Sequence, residues 1–278
     1  MYPLMNKIVL AITLMMMTPV AIMAQADSNV KHDVYMKNFT YSPPSVASSM
    51  AGMIAGVRNK DVVTAEGQSY IPTLEATVNR SLGVIPRFVM KDGSPADSIA
   101  NGALVLEGIV YSIGTSIPVK KDGGNKWASV KMALTMKDIA TGRITATTTL
   151  SADGYAANTE SIGEAMAKVA MSIGKKAYEY FASAYPVYGH VLQNGLEKDG
   201  KLKQLYIDLG SQWGLYKGQY FAVYIEGLVA GRQTKKAIGR VKVEDVEGSD
   251  IALCKVTKGA ADIKNAIEVG SSLVVVSE

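Results

Sequence analysis

The alternation of apolar and polar positions is sharpest between Trp127 and Ala184. From Ala128, every second residue is apolar (Ala128, Val130, Met132, Leu134, Met136), with Ser129, Lys131, Ala133, Thr135 and Lys137 between them. A period of two is that of a strand with one wet face. Asp138-Ile-Ala-Thr-Gly142 supplies the Asp and Gly of a short hairpin loop. The return strand sets Ile144, Ala146, Thr148 and Leu150 on one side and Thr145, Thr147, Thr149 and Ser151 on the other. The period then becomes helical. Ile162, Met166, Val169, Ile173, Ala177, Tyr180 and Ala184 stand three and four apart and form one stripe. Asn158 or Thr159 can cap its start, Ser161 and Glu164 have capping-box spacing, Glu164 and Lys168 that of an exposed ion pair, and Pro186 stops the chain beyond the end. Burying a large apolar side chain is worth about 1.5–3 kcal/mol, a cap ~1 and an exposed pair ~0.2–0.5, so packing of the stripe on the hairpin is expected to dominate.

Upstream, Val34 to Tyr41 reads as a strand with Tyr35, Phe39 and Tyr41 on one side and Val34 and Met36 on the other, after a polar tail from Asp27 to Asp33. Pro43-Pro44 ends it. Val46, Met50, Met53 and Val57 form an apolar stripe weakened by Gly52 and Gly56, read as a helix packed on a sheet or as a loop. Ser69 to Leu82 suits a second helix (Ile71, Leu74, Val78, Leu82), and Val84 to Met90 an edge strand interrupted by Pro86. Ala103 to Ile113, apolar on both faces except for Glu107, reads as a central strand. The stretch from Ile117 to Lys126 is a basic, glycine-rich loop without the Walker spacing, and a solvated hairpin loop is its plainer reading.

After a short linker at Tyr185-Pro186-Val187 the texture changes to short strands and turns. The strands are Gly189–Gln193, Leu202–Leu209, Tyr220–Ile225, Ala237–Glu244, Ile251–Thr257 and Ser272–Ser277, a spacing that suits a small barrel or sandwich. The expected fold is α/β (α+β): a mixed sheet with packed helices over residues 27–186, then a small all-β barrel-like domain over 187–278.

Composition adds an export signal. The chain has 278 residues, 48% hydrophobic and 19% charged, with formal net charge +4 and no basic tail. Lys7 precedes the apolar run Ile8 to Met23, and Ala24-Gln25-Ala26 matches the small-x-small cleavage pattern, so residues 1–26 read as a signal peptide cut after Ala26. No other stretch approaches the ~20 apolar residues of a membrane span. No integral membrane helix is therefore expected after cleavage. Cys254 is the only cysteine, which excludes a disulfide within the chain, and no lipid-bearing cysteine stands at the cleavage site.

Reactive constellations are sparse. His32 falls in the predicted tail and His190 beside a glycine at a strand start, with no His/Cys cluster of metal-ligand type. No Gly-x-Ser-x-Gly elbow is present. Asp208, Asp245, Glu247 and Asp250 are the nearest thing to an acidic cluster and read as turn and surface carboxylates. Cys254 lies in a strand pattern and reads as a buried, inert thiol. Nothing forms a basic face with ordered aromatics, so nucleic acid is not an expected partner. The chain reads as non-enzymatic, with no catalytic, cofactor-binding or metal residues, no cofactor, and no partner-binding residue identified.

The strand Val34–Tyr41, the apolar strand ending near Gly108-Ile-Val-Tyr111, Val130–Asp138, Thr141-Gly142 with its return strand, and Ala165–Tyr180 together resemble the periplasmic domain of the curli secretion channel subunit (CsgG-like) family. That family shares its fold with outer-membrane activators of peptidoglycan synthases. From Gly189 on, Tyr206-Ile-Asp-Leu-Gly210, Gly214-Leu-Tyr-Lys-Gly218, Phe221-Ala-Val-Tyr224 and Ile238-Gly-Arg-Val241 resemble the small β domain that closes flagellar assembly protein T. The chain departs from the first family in lacking the lipidated cysteine, long paired membrane hairpins and a Val-Glu-Arg element before the second helix. The resemblance implies a self-associating accessory of envelope or surface-appendage assembly, at the periplasm or outer-membrane periphery of a Gram-negative bacterium. Its partners would be its own copies and other envelope or appendage proteins. The alternative it implies is a regulatory module docking on a peptidoglycan synthase, a penicillin-binding enzyme.

Overall fold

The structure, a computed structural model, describes residues 29–42, 68–93, 102–116, 126–157, 159–229 and 231–278. The predicted cleavage residues Ala24 and Ala26, the Val46–Val57 stripe and the glycine-rich loop before Lys126 lie outside them.

The first unit is a mixed six-stranded sheet. Its strands are β1 (His32–Met36), β2 (Thr40–Tyr41), β3 (Phe88–Lys91), β4 (Leu104–Ser116), β5 (Lys126–Asp138) and β6 (Ile144–Ala156). They lie in the order β3-β1-β4-β5-β6, with β2 also on β4. β1 runs parallel to β3 and β4, whereas β4, β5 and β6 form an antiparallel meander. Two helices, α1 (Ile71–Leu82) and α2 (Ile162–Ala184), pack on each other, and α2 lies on β5 and β6. Between the layers, Met132, Leu134 and Met136 meet Met166, Val169 and Ile173, all fully buried.

The hairpin follows its period of two. Ala128, Val130, Met132, Leu134 and Met136 are buried, and so are Ala146, Leu150, Ala152 and Ala156. Ile144 breaks the pattern. It is 53% exposed, because a register shift after Met136 moves it off the apolar face. The Thr141 amide and hydroxyl both donate to Asp138 Oδ1, which closes the turn.

The α2 start carries a full capping box. Ser161 Oγ accepts from the Glu164 amide (3.2 Å), and Glu164 Oε2 accepts from the Ser161 amide (2.8 Å). That occupies Glu164. The expected Glu164–Lys168 pair therefore does not form, and Lys168 pairs with Glu160 instead. The stripe ends differently from the expectation. Four residues beyond Ala177 stands Phe181, which is fully buried, while Tyr180 packs half-buried at the rim of the core and Ala184 is exposed. Tyr180 thereby reaches the open side of β6, the sheet's edge strand. Its hydroxyl accepts from the Thr147 amide (3.1 Å) and donates to Thr147 O. Lys176 Nζ donates to Ser151 O and Lys168 Nζ to Tyr155 O (3.0 Å). One helix face thus covers backbone groups of an edge that would otherwise be open to pairing.

Two other expectations need correction. The first strand is two strands, since Lys37–Phe39 leaves the ladder between β1 and β2. The detour lets Val34 and Phe39, on opposite sides in a continuous strand, both enter the core. Gly108 makes room for it, because a Cβ there would lie 2.2 Å from the Phe39 ring. The edge strand begins only at Phe88, because Val84–Arg87 is a turn. Glu107 faces the opposite side of β4 from the helices, between Lys137 and Lys37. Hydrogen bonds from Lys137 and Lys37 hold its carboxyl below the usual range.

The second unit is a closed antiparallel barrel. Its wall is built from β7 (Tyr188–Asn194), β10 (Gln204–Ile207), β11 (Tyr220–Val229), β12 (Arg232–Val246), β13 (Ala252–Lys258) and β14 (Leu273–Ser277), and β8 (Glu197–Lys198) with β9 (Lys201–Leu202) forms a separate small ribbon. It has its own core, centred on Phe221, Val223, Val241 and Val275. Cys254 is fully buried in it, and burial pushes its thiol up to about 12. The all-β expectation missed one element, helix α3 (Ala260–Glu268). It is nine residues long and has no side-chain cap, so the usual signal of a helix start is missing. Packing holds it there, with Ile263 fully buried in the barrel core. Gly259 turns the chain into α3 at φ +71°, where a Cβ would lie 1.9 Å from Ile238 O.

Among the described residues, no helix is long and apolar enough to cross a membrane.

Candidate functional site at the seam between sheet and barrel

The predicted linker is an embedded joint. Val187 is 2% exposed, and its amide donates to Ser277 Oγ on the closing strand of the barrel (2.9 Å). Tyr185 stands edge-on to Phe88 (centroids 4.9 Å) and His32 (5.7 Å). Its hydroxyl meets Thr145 Oγ1 at 2.6 Å, and burial pushes its phenol up to about 12.

The predicted tail is stitched into the same joint. The Asn29 side chain pairs with the backbone of Tyr188 as a neighbouring strand would, donating to its carbonyl and accepting from its amide. His32 opens β1 and is 7% exposed. Its Nδ1 lies 2.7 Å from Gly102 O. A carbonyl can only accept, so Nδ1 carries the proton and Nε2 presents a lone pair. Arg87 Nη2 donates to that lone pair at 3.3 Å. The same guanidinium donates through Nε to Val30 O and through Nη1 to Pro186 O, both at 3.2 Å. Arg87 thus ties the N-terminal strand to the start of the barrel. Burial lowers its pKa from the usual guanidinium value.

Burial also lowers the His32 pKa, and the Arg87 charge adds to that, against the Gly102 hydrogen bond and Asp138. The folded joint therefore holds neutral imidazole. Its contribution is complete above the usual value of about 6.5 and is lost as pH falls below that through the folded-state value. The melting temperature of the wild-type chain should drop between pH 7 and pH 5 more than that of a His32→Gln chain. Parallel profiles for the two proteins would refute a titrating joint.

A cleft of ≈ 350 Å³ opens beside the joint, with Val84, Pro86 and Tyr178 from the sheet unit facing Tyr216, Gln219 and Glu278 from the barrel. Burial, with Tyr216 adjoining, raises the Tyr178 pKa. Gln219 Oε1 is buried without a hydrogen-bond partner. The one carboxylate lining the cleft, Glu278, is paired with Arg240. The arrangement can grip a ligand by tyrosine faces, and it converges no nucleophile with a base.

The other singled-out residues are dispersed. His190 Nδ1 lies 2.9 Å from Asp208 Oδ2 on the barrel surface. Asp245 lies near the end of β12, Glu247 and Asp250 sit at the β12–β13 turn, and no group of three or more His, Cys, Asp or Glu suited to a metal occurs among the described residues. Sequence reading missed Arg87 and Gln219 and set His32 aside in a polar tail. A lone arginine next to Pro86 and a histidine before a strand carry no periodic signal, and their partners lie 55 to 99 residues away.

No family model matches the chain, and no curated protein matches it. Among solved structures, a Xanthomonas campestris protein of family-model DUF330 is similar at 11% identity, over 55% of this chain and 83% of that one, with a TM-score of 0.34. A PelC dodecamer from Paraburkholderia phytofirmans is similar at 10% identity over 52% and 87%, with a TM-score of 0.29. A lipoprotein from Neisseria meningitidis is similar at 15% over 52% and 98%, with a TM-score of 0.24. Likeness at this level transfers no function.

Proposed function

We propose that the protein is an exported, non-enzymatic accessory of cell-envelope or surface-appendage assembly that associates with itself and with other envelope proteins. Three things support this reading. The N-terminal segment has the grammar of an export signal. The sheet-and-barrel pair resembles, in its motifs, the curli channel family and flagellar assembly protein T. The seam cleft, lined by Tyr178, Tyr185 and Tyr216, is built to hold rather than to transform. The last observation carries the proposal, because tyrosines with a few fixed polar groups are the composition of protein-binding pockets.

The test uses the mature chain as bait in envelope extracts beside a Tyr178→Ala/Tyr216→Ala chain. Secretion or appendage components should be captured by the first and lost at least about tenfold by the second, the scale of a truncated interface anchor. Capture of a penicillin-binding enzyme would favour the synthase-docking alternative. Light scattering should show self-association in both chains, and a strict monomer at high concentration would remove that part of the reading.

A further inference from the structure

β11 and β12 outrun the barrel. β14 pairs with β11 only as far as Ile225, and β13 pairs with β12 only from Arg240 onward. Beyond those points, Glu226–Val229 pairs with Arg232–Lys235 as a two-stranded ribbon that extends the wall, tied to the barrel at its base by the Glu226 amide on Ser272 O and by Lys235 Nζ over the Tyr188 ring. Charge along β12 is strongly graded. Arg232, Lys235, Lys236, Arg240 and Lys242 precede the strand's only acids, Glu244 and Asp245, at its far end. Glu247 and Asp250 follow in the next turn.

The neighbouring strand adds to the positive end instead of neutralising it. Arg240 stands opposite Lys258 and Lys242 opposite Lys255. Like charges set directly across a ladder destabilise it. Lys235 is paired with Glu226 and Arg240 with Glu278. Arg232, Lys236, Lys242, Lys255 and Lys258 have no ion pair among the described residues. Tyr220 lies under Arg240 and Lys242, its ring centroid 4.2 Å from the Arg240 guanidinium and 5.4 Å from Lys242 Nζ. An aromatic beside long basic side chains is a composition suited to a membrane–water interface.

We propose that the ribbon and the β12–β13 face dock the protein on an anionic lipid surface, with phosphate headgroups as the ligand. Shape favours a bilayer over a single ion. The cations spread along the ribbon and the barrel wall, which can meet a flat field of charge, and they do not converge as a cradle for one phosphate would require. The acidic end of β12 then faces away, so the charge gradient orients the barrel ribbon-first. This inference does not depend on the seam cleft.

The test is co-sedimentation of the mature chain with vesicles of phosphatidylcholine alone or mixed with phosphatidylglycerol. Binding should require phosphatidylglycerol and weaken with salt. Arg232→Gln and Lys236→Gln should each weaken it about fivefold, from the typical contribution of one cation at an anionic surface. Lys198→Gln/Lys201→Gln removes two cations from the separate β8–β9 ribbon and should leave binding unchanged. Equal binding to both vesicles, or equal losses in the two sets of variants, would overturn the proposal. So would competition by inorganic phosphate at matched phosphate concentration, which would indicate a discrete anion site. No binding at all would leave the cations as guards of the ribbon's open edges and would equally overturn it.

Discussion

Val169→Asp should leave little or no folded protein at neutral pH, whereas Ser161→Ala should give a folded chain that melts only a few degrees lower. Val169 is fully buried in the sheet-unit core. A Cβ on Gly154 would lie 2.9 Å from its side chain and 2.5 Å from Ala165 O, so helix and strand are in close contact there. A carboxylate at 169 has no room to reach water. It forfeits the ~1.5–3 kcal/mol of apolar burial and adds the several kcal/mol of an unpaired buried charge. Loss of the Ser161 cap removes one side-chain acceptor at an exposed helix end, about 1 kcal/mol, or ~2–4 °C in a chain of this size. Thermal unfolding of the two variants separates these scales. Equal losses would mean that the capping box, not the packed stripe, holds α2.

Gly108→Val should be the second most damaging change, against the direction of intrinsic strand preference. Valine suits a strand better than glycine, so a mid-strand exchange judged by propensity alone should stabilise. Here the new side chain would occupy the space of the Phe39 ring. Expelling that ring costs on the order of 3–5 kcal/mol, as truncation of a buried phenylalanine does. The same clash predicts strong coupling. In a Phe39→Ala chain the ring is gone, and adding Gly108→Val should cost much less than it does in the wild type. Denaturant unfolding of the four proteins completes the cycle. Strictly additive losses would show that Gly108 serves something other than that ring.

These two sites differ in how plainly residue order announces them. Val169 is legible because burial on one side of a helix and one side of a hairpin imprints periods of about 3.6 and two on consecutive residues. The same reasoning places the capping box and the central strand β4. The Phe39 detour is not legible, because the glycine that permits it lies on another strand. The stripe's end is misjudged for a smaller reason, since Tyr180 and Phe181 both continue a helical spacing and only tertiary contacts choose between them. Short α3 depends on the barrel that receives it. The seam is the least visible part. Asn29, His32 and Arg87 act through backbone carbonyls and amides of distant segments, and carbonyl positions are not written in residue identity. Asp245, Glu247 and Asp250 look like a cluster because they are close in number, and Asp208 is engaged with His190 instead.

The covering of β6 by Lys168, Lys176 and Tyr180 constrains how this molecule can multiply. A neighbour cannot extend the sheet along those stretches without first lifting helix side chains from the carbonyls they occupy. Crowding is therefore not expected to seed runaway fibre growth from that border, and any orderly assembly would have to be soldered through some other surface.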